Sequence, residues 1–292
     1  MPGELFVVAT PIGNLKDITL NALEVLKAVD LIAAEDTRVS IKLLNHYQIK
    51  KPLISYHKFN EKKQTKSIIA MLKQGKKVAI ITDAGTPCLS DPGSILVKSA
   101  IDNNIKVLGI GGMNAAIVGL SVSGFNISSF TFYGFVPRKD NDIKALLATI
   151  NHDSPPLAVL YEAPKRIMDT LIKIKQHLYN PYLCVGNDLT KKFARKYYGL
   201  CSEVINQLKQ HKNYALGEYV IIINKRTNMV LKDESPYSIE ADLIDTLIKE
   251  EVTLKEAITR VTKKRKPGVT KKEVYQASLN LKDILLKAKD TS

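Results

Sequence analysis

The sequence has few cysteines and no long apolar run, and each absence excludes a class of protein. Cys88, Cys184 and Cys201 are odd in number and widely spaced, so they give neither a disulfide framework nor a CxxC zinc pair. No apolar run approaches the roughly 18 residues of a membrane span, and residues 1–5 lack the basic start and apolar stretch of a signal peptide. We therefore expect a cytoplasmic protein with no metal site and no membrane contact.

Acidic residues are also scarce relative to basic ones. The chain has 29 Asp and Glu against 43 Lys and Arg, which gives a formal net charge of +14. A basic surface concentrates polyanions and speeds encounter with nucleic acid. A lysine-rich composition can equally decorate a solvated surface, so the charge alone leaves both interpretations open.

The sequence does contain a regular alternation of predicted strands and helices. Residues 7–38 have the pattern of strand, Pro/Gly turn, helix and second strand, and the alternation continues to residue 137. This spacing predicts βαβ units and a mainly parallel sheet, so we expect an N-terminal α/β domain over residues 1–139. Ligands bind beyond the carboxyl ends of strands in such sheets, which places residues 10–14 and 35–38 beside a predicted site.

The rest of the chain predicts a second α/β domain and a helical C-terminal domain. Strand-like segments at 156–164 and 217–225, with helical patterns between them, predict the second domain over 140–228. Residues 235–292 carry two amphipathic segments separated by Lys-Pro-Gly, which resembles a helix-turn-helix unit whose basic run contacts phosphates. The alternative is a helical hairpin that packs on the body or on a dimer partner. The basic run consists of Lys263, Lys264, Arg265 and Lys266.

Glycine-rich loops follow several predicted strands, but none matches a nucleotide-binding motif fully. No GxxxxGK[ST] P-loop occurs. Residues 109–115 lie between a strand and a helix, yet Asn114 occupies the third glycine position of the dinucleotide fingerprint, and the loop is not in the first βαβ unit. Each glycine alone can simply make a turn. Together, the strand-end loops indicate a ligand that approaches the backbone closely.

Six segments together carry a family resemblance. They are, in chain order, VATPIGNLKDITLNALEVLKAVDLIAAEDTR, SYHKFNE, TDAGTPCLSDPG, YEAPKR, DLTKK and LGEYVIII. They resemble the successive motifs of the ribosomal RNA small subunit methyltransferase I family, a branch of the tetrapyrrole methylase superfamily. The resemblance covers residues 5–225, and the tail resembles the family's small helical C-terminal domain. It implies two α/β domains of the tetrapyrrole methylase type with a cofactor cleft between them.

The resemblance also implies an activity. It is the transfer of methyl from S-adenosylmethionine to a cytidine ribose 2′-oxygen of small-subunit ribosomal RNA, in the assembled subunit and by a homodimer. Such a donor needs backbone hydrogen bonds and a carboxylate but no metal, so Asp83 is the expected side-chain anchor; a helix cap or turn former is its alternative. The other implied cofactor contacts are Pro11, Ala84, Gly85, Pro87, Gly111, Met113, Asn114, Tyr161 and Gly217.

Two segments depart from the family's pattern. Gly111, Gly112, Met113 and Asn114 stand where the family usually has Pro-Gly-Pro-Ser. Loss of both prolines loosens a loop that by resemblance contacts the cofactor, which predicts weaker binding rather than loss of binding. Around Asp188 the chain has Asn-Asp-Leu-Thr-Lys in place of Arg-Glu-Leu-Thr-Lys, which removes one expected RNA contact.

Methyl transfer to a ribose requires a hydroxyl that is aligned with the methyl group and loses its proton. The candidate bases are Glu35, Asp36, His57 and Glu162, and the sequence does not choose among them. Asp36 also suits the N-cap of a following helix, and His57 an ordinary loop. Further candidates for phosphate or base contacts, with solvated surface charge as their alternative, are Arg38, Arg166, Lys191 and Lys192.

Two other functions stay open from the sequence. A small-molecule methyltransferase of the tetrapyrrole type would keep the fold and the donor, although the widespread positive charge and the helical tail favour RNA. A non-catalytic RNA-binding assembly factor would keep the fold with a degraded cofactor loop.

Overall fold

The first sheet is built from five strands of the N-terminal half. The protein is described by a computed structural model that covers residues 2–153, 155–225, 237–265 and 269–289. The strands are β1 (Glu4–Val8), β2 (Leu31–Ala34), β3 (Leu53–Ser55), β4 (Val78–Ile81) and β5 (Lys106–Ile110). They lie in the order β3-β2-β4-β1-β5, and every neighbouring pair is parallel, which confirms the predicted parallel sheet.

Helices cover both faces of the first sheet. In β2, Leu31 and Ala33 contribute to one apolar core, and Ile32 and Ala34 to the other. A strand that is apolar on both faces requires such double cover, because successive side chains point to opposite sides. The helices are α1 (Leu20–Ala28), α2 (Thr37–His46), α3 (Glu61–Lys73) and α4 (Ser94–Asp102). The first two pack on the core of Ile32, and the last two on the core of Leu31.

The second sheet is mixed. Its strands are β6 (Phe130–Phe135), β7 (Leu157–Glu162), β8 (Tyr182–Asn187), β9 (Arg195–Leu200) and β10 (Tyr219–Asn224). They lie in the order β6-β7-β10-β8-β9; β6 and β7 pair in parallel, and the other three pairs are antiparallel. The sequence pattern predicts neither β8 nor β9.

The helices around the second sheet divide between its two faces. They are α5 (Ala115–Ser121), α6 (Asp140–His152), α7 (Ile167–His177) and α8 (Cys201–Lys209). The last three share one core, and α5 packs on the other face through Ala116 and Leu120. The polar stretch after Pro137 begins α6 because Asp140 and Asp142 lie in its first turn, where acidic side chains favour the helix dipole.

The second sheet and its core begin before the predicted domain boundary at residue 139. Both α5 and β6 precede that boundary, yet both belong to the second sheet and its core. The alternation of apolar residues shows that β6 is a strand, but it carries no information on which distant strand pairs with it. By sheet membership, the chain crosses to the second half after β5.

The C-terminal region forms a helical unit with its own apolar core. The unit consists of α9 (Ile239–Glu250), α10 (Leu254–Lys264) and α11 (Lys271–Lys289), so it has one more helix than the two predicted segments. Its core includes Leu243, Val261 and Val274. The first two residues of the predicted domain, 235 and 236, lie outside the described residues. None of the helices that the structure describes is long and apolar enough to span a membrane.

Candidate active site

A cleft of about 420 Å³ lies between the two sheets. One wall comes from the loops that follow β2 and β4, and the other from the ends of β7 and β8 and the start of β10. This volume lies within the range of small-molecule sites, roughly 300–1,000 Å³. Among the residues that the structure describes, every charged residue in the lining is acidic, although the chain as a whole is strongly basic. These acids are Glu35, Asp83, Asp91, Glu162, Asp188 and Glu218.

The loop from β4 to α4 forms much of the first wall and has an unusual backbone. Cys88 and Ser90 have φ angles of 70° and 72°, and Gly93 has 134°. Left-handed conformations are uncommon for residues other than glycine, so the surrounding structure must hold them. A β-carbon on Gly93 would lie 2.6 Å from Cys88 Sγ, so this position requires glycine. The loop thereby brings Asp83 and Asp91, at its two ends, into one cleft.

Five of the predicted cofactor residues line the cleft: Asp83, Ala84, Gly85, Asn114 and Tyr161. Backbone groups of Gly85 do not face a ligand, however. Its N–H and C=O groups pair with those of Thr10, at N···O distances of 3.1 and 2.8 Å. The remaining five lie outside the lining: Pro11 and Pro87 are buried, Gly111 and Met113 precede Asn114, and Gly217 precedes the lining residue Glu218.

Asn114 and Tyr161 connect the start of α5 to β7. The Asn114 side-chain oxygen accepts the N–H groups of Ala116 at 3.0 Å and Ile117 at 3.3 Å, and the Ala116 N–H also lies 3.1 Å from the Tyr161 hydroxyl. Asparagine is as good an N-cap as serine, so the departure at this position keeps the cap. Gly112 is also required, because a β-carbon there would lie 2.7 Å from that of Ala9.

Of the candidate bases, Glu35 lies in the cleft and Asp36 does not. Glu35 Oε2 accepts the Thr82 hydroxyl at 2.6 Å. Asp36 caps α2 and forms an ion pair of 2.6 Å with Arg38. The hydrogen bond from the Arg38 side chain lowers the pKa of Asp36 to about 2, which makes this carboxylate a weak base.

Glu162 and His57 occupy structural positions. Glu162 lines the cleft but is buried, and its Oε2 accepts the Thr170 hydroxyl at 2.5 Å and lies 3.5 Å from Arg166. His57 is not in the cleft lining. Its ring Nδ1 accepts the Phe59 N–H at 3.3 Å within the loop after β3. Neither residue therefore presents a free basic group to the cleft.

Asp91 is a cleft residue that the sequence pattern does not single out. Burial raises the pKa of Asp91 to about 6, and the negative charges of Glu35 and Asp83 add to the effect. A carboxylate with a pKa near neutral is suited to take up a proton. The Thr82 hydroxyl donates to Glu35 at 2.6 Å, and its interaction with Asp91 offsets part of the rise in the pKa of that carboxyl. Asp91 belongs to the TDAGTPCLSDPG motif, in which Asp-Pro-Gly has the composition of a turn.

Comparison with known proteins identifies the family. The family model described as Tetrapyrrole (Corrin/Porphyrin) Methylases matches residues 4–205. The chain belongs to the tetrapyrrole methylases. A Buchnera aphidicola relative of this methylase is 38% identical over 283 residues, which is 96% of this chain and 97% of that protein. It is named ribosomal RNA small subunit methyltransferase I. A protein of the same name from Thermotoga maritima is 41% identical over 222 residues, 76% of this chain and 98% of its own length.

Two solved structures share the methylase fold. Uroporphyrin-III-C-methyltransferase from Thermus thermophilus superposes with a TM-score of 0.53 at 16% identity, over 78% of this chain and 97% of that one. A diphthine synthase superposes with a TM-score of 0.59 at 14% identity, over 75% of this chain and 88% of that one. At these identities the likeness concerns the fold alone. These structures and the Thermotoga relative each leave about a quarter of this methylase unmatched.

The four side chains near the cleft that are predicted to contact RNA differ in whether they already have partners within the protein. Arg166 donates to the backbone carbonyls of Val136 and Pro137. Lys191 forms ion pairs with Asp188 at 2.7 Å and Glu218 at 3.4 Å, and Arg38 pairs with Asp36. Lys192 is exposed and has its Nζ 5.6 Å from the centre of the Phe193 ring. Of the four, Lys192 is the most available to a phosphate.

The basic run of the C-terminal unit is not a uniform surface patch. Arg265 is only 5% exposed; its Nε donates to Asp242 at 2.6 Å, and its Nη2 donates to two carbonyl oxygens of the chain before α9. The prediction that Arg265 contacts RNA conflicts with this burial, because its donors already have partners inside the methylase. Lys263 and Lys264 are exposed, and Lys266 lies outside the described residues.

Proposed function

We propose that the protein transfers the methyl group of S-adenosylmethionine to a ribose 2′-oxygen of a cytidine in small-subunit ribosomal RNA. The observation that carries the proposal is the 38% identity over 96% of the chain to a protein named ribosomal RNA small subunit methyltransferase I. We further propose that the substrate is the assembled small subunit, that the protein acts as a homodimer, and that it works in the cytoplasm. The basic composition supports an RNA substrate.

The cleft fits the proposed methyl donor. When bound, S-adenosylmethionine supplies a methyl group on a positively charged sulfur and also carries an ammonium group. A lining whose charged residues are all acidic favours such a ligand over an anionic one. Asp83 stays the proposed anchor for the donor, and its own Oδ1 also accepts the Asp36 N–H at 3.0 Å.

The residues of the cleft also support a base for the reaction, which we propose to be Asp91. Among the acids that follow β2 and β4, Glu35 holds the Thr82 hydroxyl and Asp83 holds the Asp36 N–H. Asp91 has neither a backbone donor nor a cation among its contacts in the described residues. As the ribose oxygen forms its bond to the methyl carbon and the carbon–sulfur bond breaks, the hydroxyl proton passes to the Asp91 carboxylate.

Thr82 reduces the basicity of Asp91 only in part. Its hydroxyl donates to Glu35 at 2.6 Å, and its interaction with Asp91 lowers the pKa of that carboxyl. Burial and the charge of Glu35 are the larger effects, so the pKa of Asp91 stays raised and the carboxyl is suited to accept a proton.

A ribose-methylation map tests this function. Ribosomal RNA is purified from cells with and without the protein and treated with alkali, which cleaves wherever the 2′-hydroxyl is free. The protein should add one protected cytidine, and purified protein with S-adenosylmethionine should restore it on unmethylated small subunits. Label found on a base would refute ribose methylation. Calorimetry that detects no binding of S-adenosylmethionine would instead favour the assembly-factor alternative.

A further inference from the structure

Two phenylalanine rings project into solvent from loops beside the cleft. Phe59 is 94% exposed, the highest fraction among the large apolar side chains that the structure describes, and Phe193 is 75% exposed. Single exposed apolar residues are common on protein surfaces, so exposure alone carries no argument. Their position and their neighbours distinguish these two rings.

The loop of Phe193 begins at the cleft and is anchored there. Asp188 and Leu189, which follow β8, line the cleft. Lys191 then pairs with Asp188, and its side chain packs so closely on Gly13 that a β-carbon there would lie 2.6 Å from Lys191 Cγ. The Ala194 N–H donates to the Lys191 carbonyl at 3.0 Å. Phe193 is thus held at the rim of the cleft by a hydrogen-bonded turn.

Phe59 lies at the carboxyl edge of the first sheet, in the loop after its outermost strand. It follows β3, whose carboxyl end lies at the same sheet edge as those of β2 and β4, because the three strands are parallel. Glu35 and Thr82, just beyond those two ends, line the cleft. The turn that carries Phe59 is braced by Asn60, whose side chain accepts the His57 N–H at 2.8 Å and donates to the Ser55 carbonyl at 3.0 Å.

Both rings have a side chain beside them that suits contact with a nucleotide. Lys192 Nζ lies 5.6 Å from the Phe193 ring centre, and the His57 ring lies edge-on to Phe59 at 6.0 Å. A flat aromatic face stacks on any unpaired base, and a nearby cation suits the phosphate that follows it. The two rings stand on separate loops with polar neighbours, so they do not form the continuous apolar patch that a protein partner or a membrane would require.

We propose that Phe59 and Phe193 are stacking platforms for unpaired RNA bases beside the methylated nucleotide, one on each domain at the rim of the cleft. This inference rests on the proposed function, and it specifies the substrate as a single-stranded or locally opened segment. A ribose 2′-oxygen reaches a cleft more readily when its neighbours are unstacked from a helix and held on the protein.

Binding of a mixed-sequence single-stranded oligoribonucleotide, with the same strand annealed to its complement as the comparison, tests the proposal. Phe59→Leu and Phe193→Leu keep an apolar side chain but remove the ring, and each should weaken single-strand binding on the order of 10-fold, as loss of base stacking does. Phe59→Tyr and Phe193→Tyr should restore it. Tyr179→Leu is the matched control, because Tyr179 is exposed at the opposite end of β8.

Several outcomes would overturn the proposal. They are wild-type affinity in both leucine variants, an equal loss for duplex RNA, or an equal loss in the Tyr179 control. If the leucine variants lose binding to assembled small subunits but bind the single strand as the wild type does, the two rings contact a ribosomal protein instead of RNA. The binding assay needs no methyl transfer, so a wild-type protein that binds the strand but methylates no ribose refutes the proposed function and not the stacking. Affinity for S-adenosylmethionine, unchanged in all variants, shows that they are folded.

Discussion

The cleft contains a half-buried carboxylate and the C-terminal helical unit a fully buried one, in opposite electrostatic surroundings. Asp242 in the helical unit is 3% exposed and has Arg265 at 2.6 Å and Lys264 at 3.4 Å. Burial raises the pKa of Asp242, but the hydrogen bond and charge of Arg265 outweigh this, so it lies below its usual value. Asp91 in the cleft has two acids as its charged neighbours, and its pKa is raised to about 6.

The difference separates a structural acid from a reactive one. A carboxylate with an arginine beside it keeps its charge and fixes the arrangement of two helices. A shielded carboxylate among other acids makes the folded state less stable at neutral pH, and such groups are concentrated at functional sites. Net charge hides this distinction. The chain carries +14, yet the charged residues that line the cleft in the described part of the chain are acidic.

Replacing Asp91 should produce the largest effect. Asp91→Asn keeps the shape of the side chain and removes its ability to accept a proton. We expect methyl transfer to small subunits to fall by about 10²- to 10⁴-fold, the usual contribution of a general base. Binding of S-adenosylmethionine should be retained. The measurement is single-turnover transfer of radiolabelled methyl, and the wild-type rate should rise with pH up to about 6 and then level off.

Asp36→Asn is the matched control for this experiment. Asparagine caps a helix as well as aspartate does, and Asp36 lies outside the cleft lining with its charge already paired to Arg38. Its methyl-transfer rate should therefore stay close to that of the wild type. An active Asp91→Asn protein, or an inactive Asp36→Asn protein, would remove Asp91 from the role of base.

Much of the cleft is predictable from sequence because strand ends and turns leave local signals. The apolar runs, the Pro/Gly turns and the helical periods predict the parallel sheet and place Glu35 and Asp83 at strand ends. What the sequence cannot supply is the partner of each charge. Arg38 and Lys191 have the composition of RNA contacts, but in the structure they pair with Asp36 and Asp188. These pairings depend on side-chain geometry that no residue spacing specifies.

The burial of Arg265 could have been predicted from its spacing to other residues in the sequence. It lies seven residues after Ile258 and four after Val261, both of which are buried on α10. This spacing puts all three side chains on the core face of one helix. A basic residue on an apolar stripe predicts a buried partner, whereas a run of basic residues by itself indicates a surface. The position of Asp91 gives no comparable signal, because its environment depends on how its own loop packs against Glu35 in the distant loop after β2.

The second prediction removes the arginine that balances Asp242. Arg265→Met leaves a buried carboxylate without the guanidinium that contacts it, and it should lower the free energy of unfolding of the helical unit by about 3 kcal/mol. Guanidinium unfolding should show an early transition, and limited proteolysis should cut the C-terminal unit first. Lys263→Met on the exposed side of α10 is the control and should change little. Equal stability of both variants would show that the ion pair is not structural.

The smallest effect should be a gain in folding stability when the reactive acid, Asp91, is replaced by asparagine. The folded state raises the pKa of Asp91 from 3.8 to about 6, so between these values it binds more protons than the unfolded state. The wild-type protein therefore loses stability as the pH rises through this window, whereas Asp91→Asn has no charge to bury. After discounting for solvent near a half-shielded group, the variant should be more stable by about 1 kcal/mol at about pH 8. This advantage should disappear at about pH 4.

Asp36→Asn should behave in the opposite way, because the lowered pKa of Asp36 contributes stability above pH 3.8 that is lost in acid. Thermal unfolding of the three proteins across pH measures both trends. An Asp91→Asn protein that is less stable at neutral pH would mean that the wild-type carboxylate has a compensating cation, and the contrast with Asp242 would then fail.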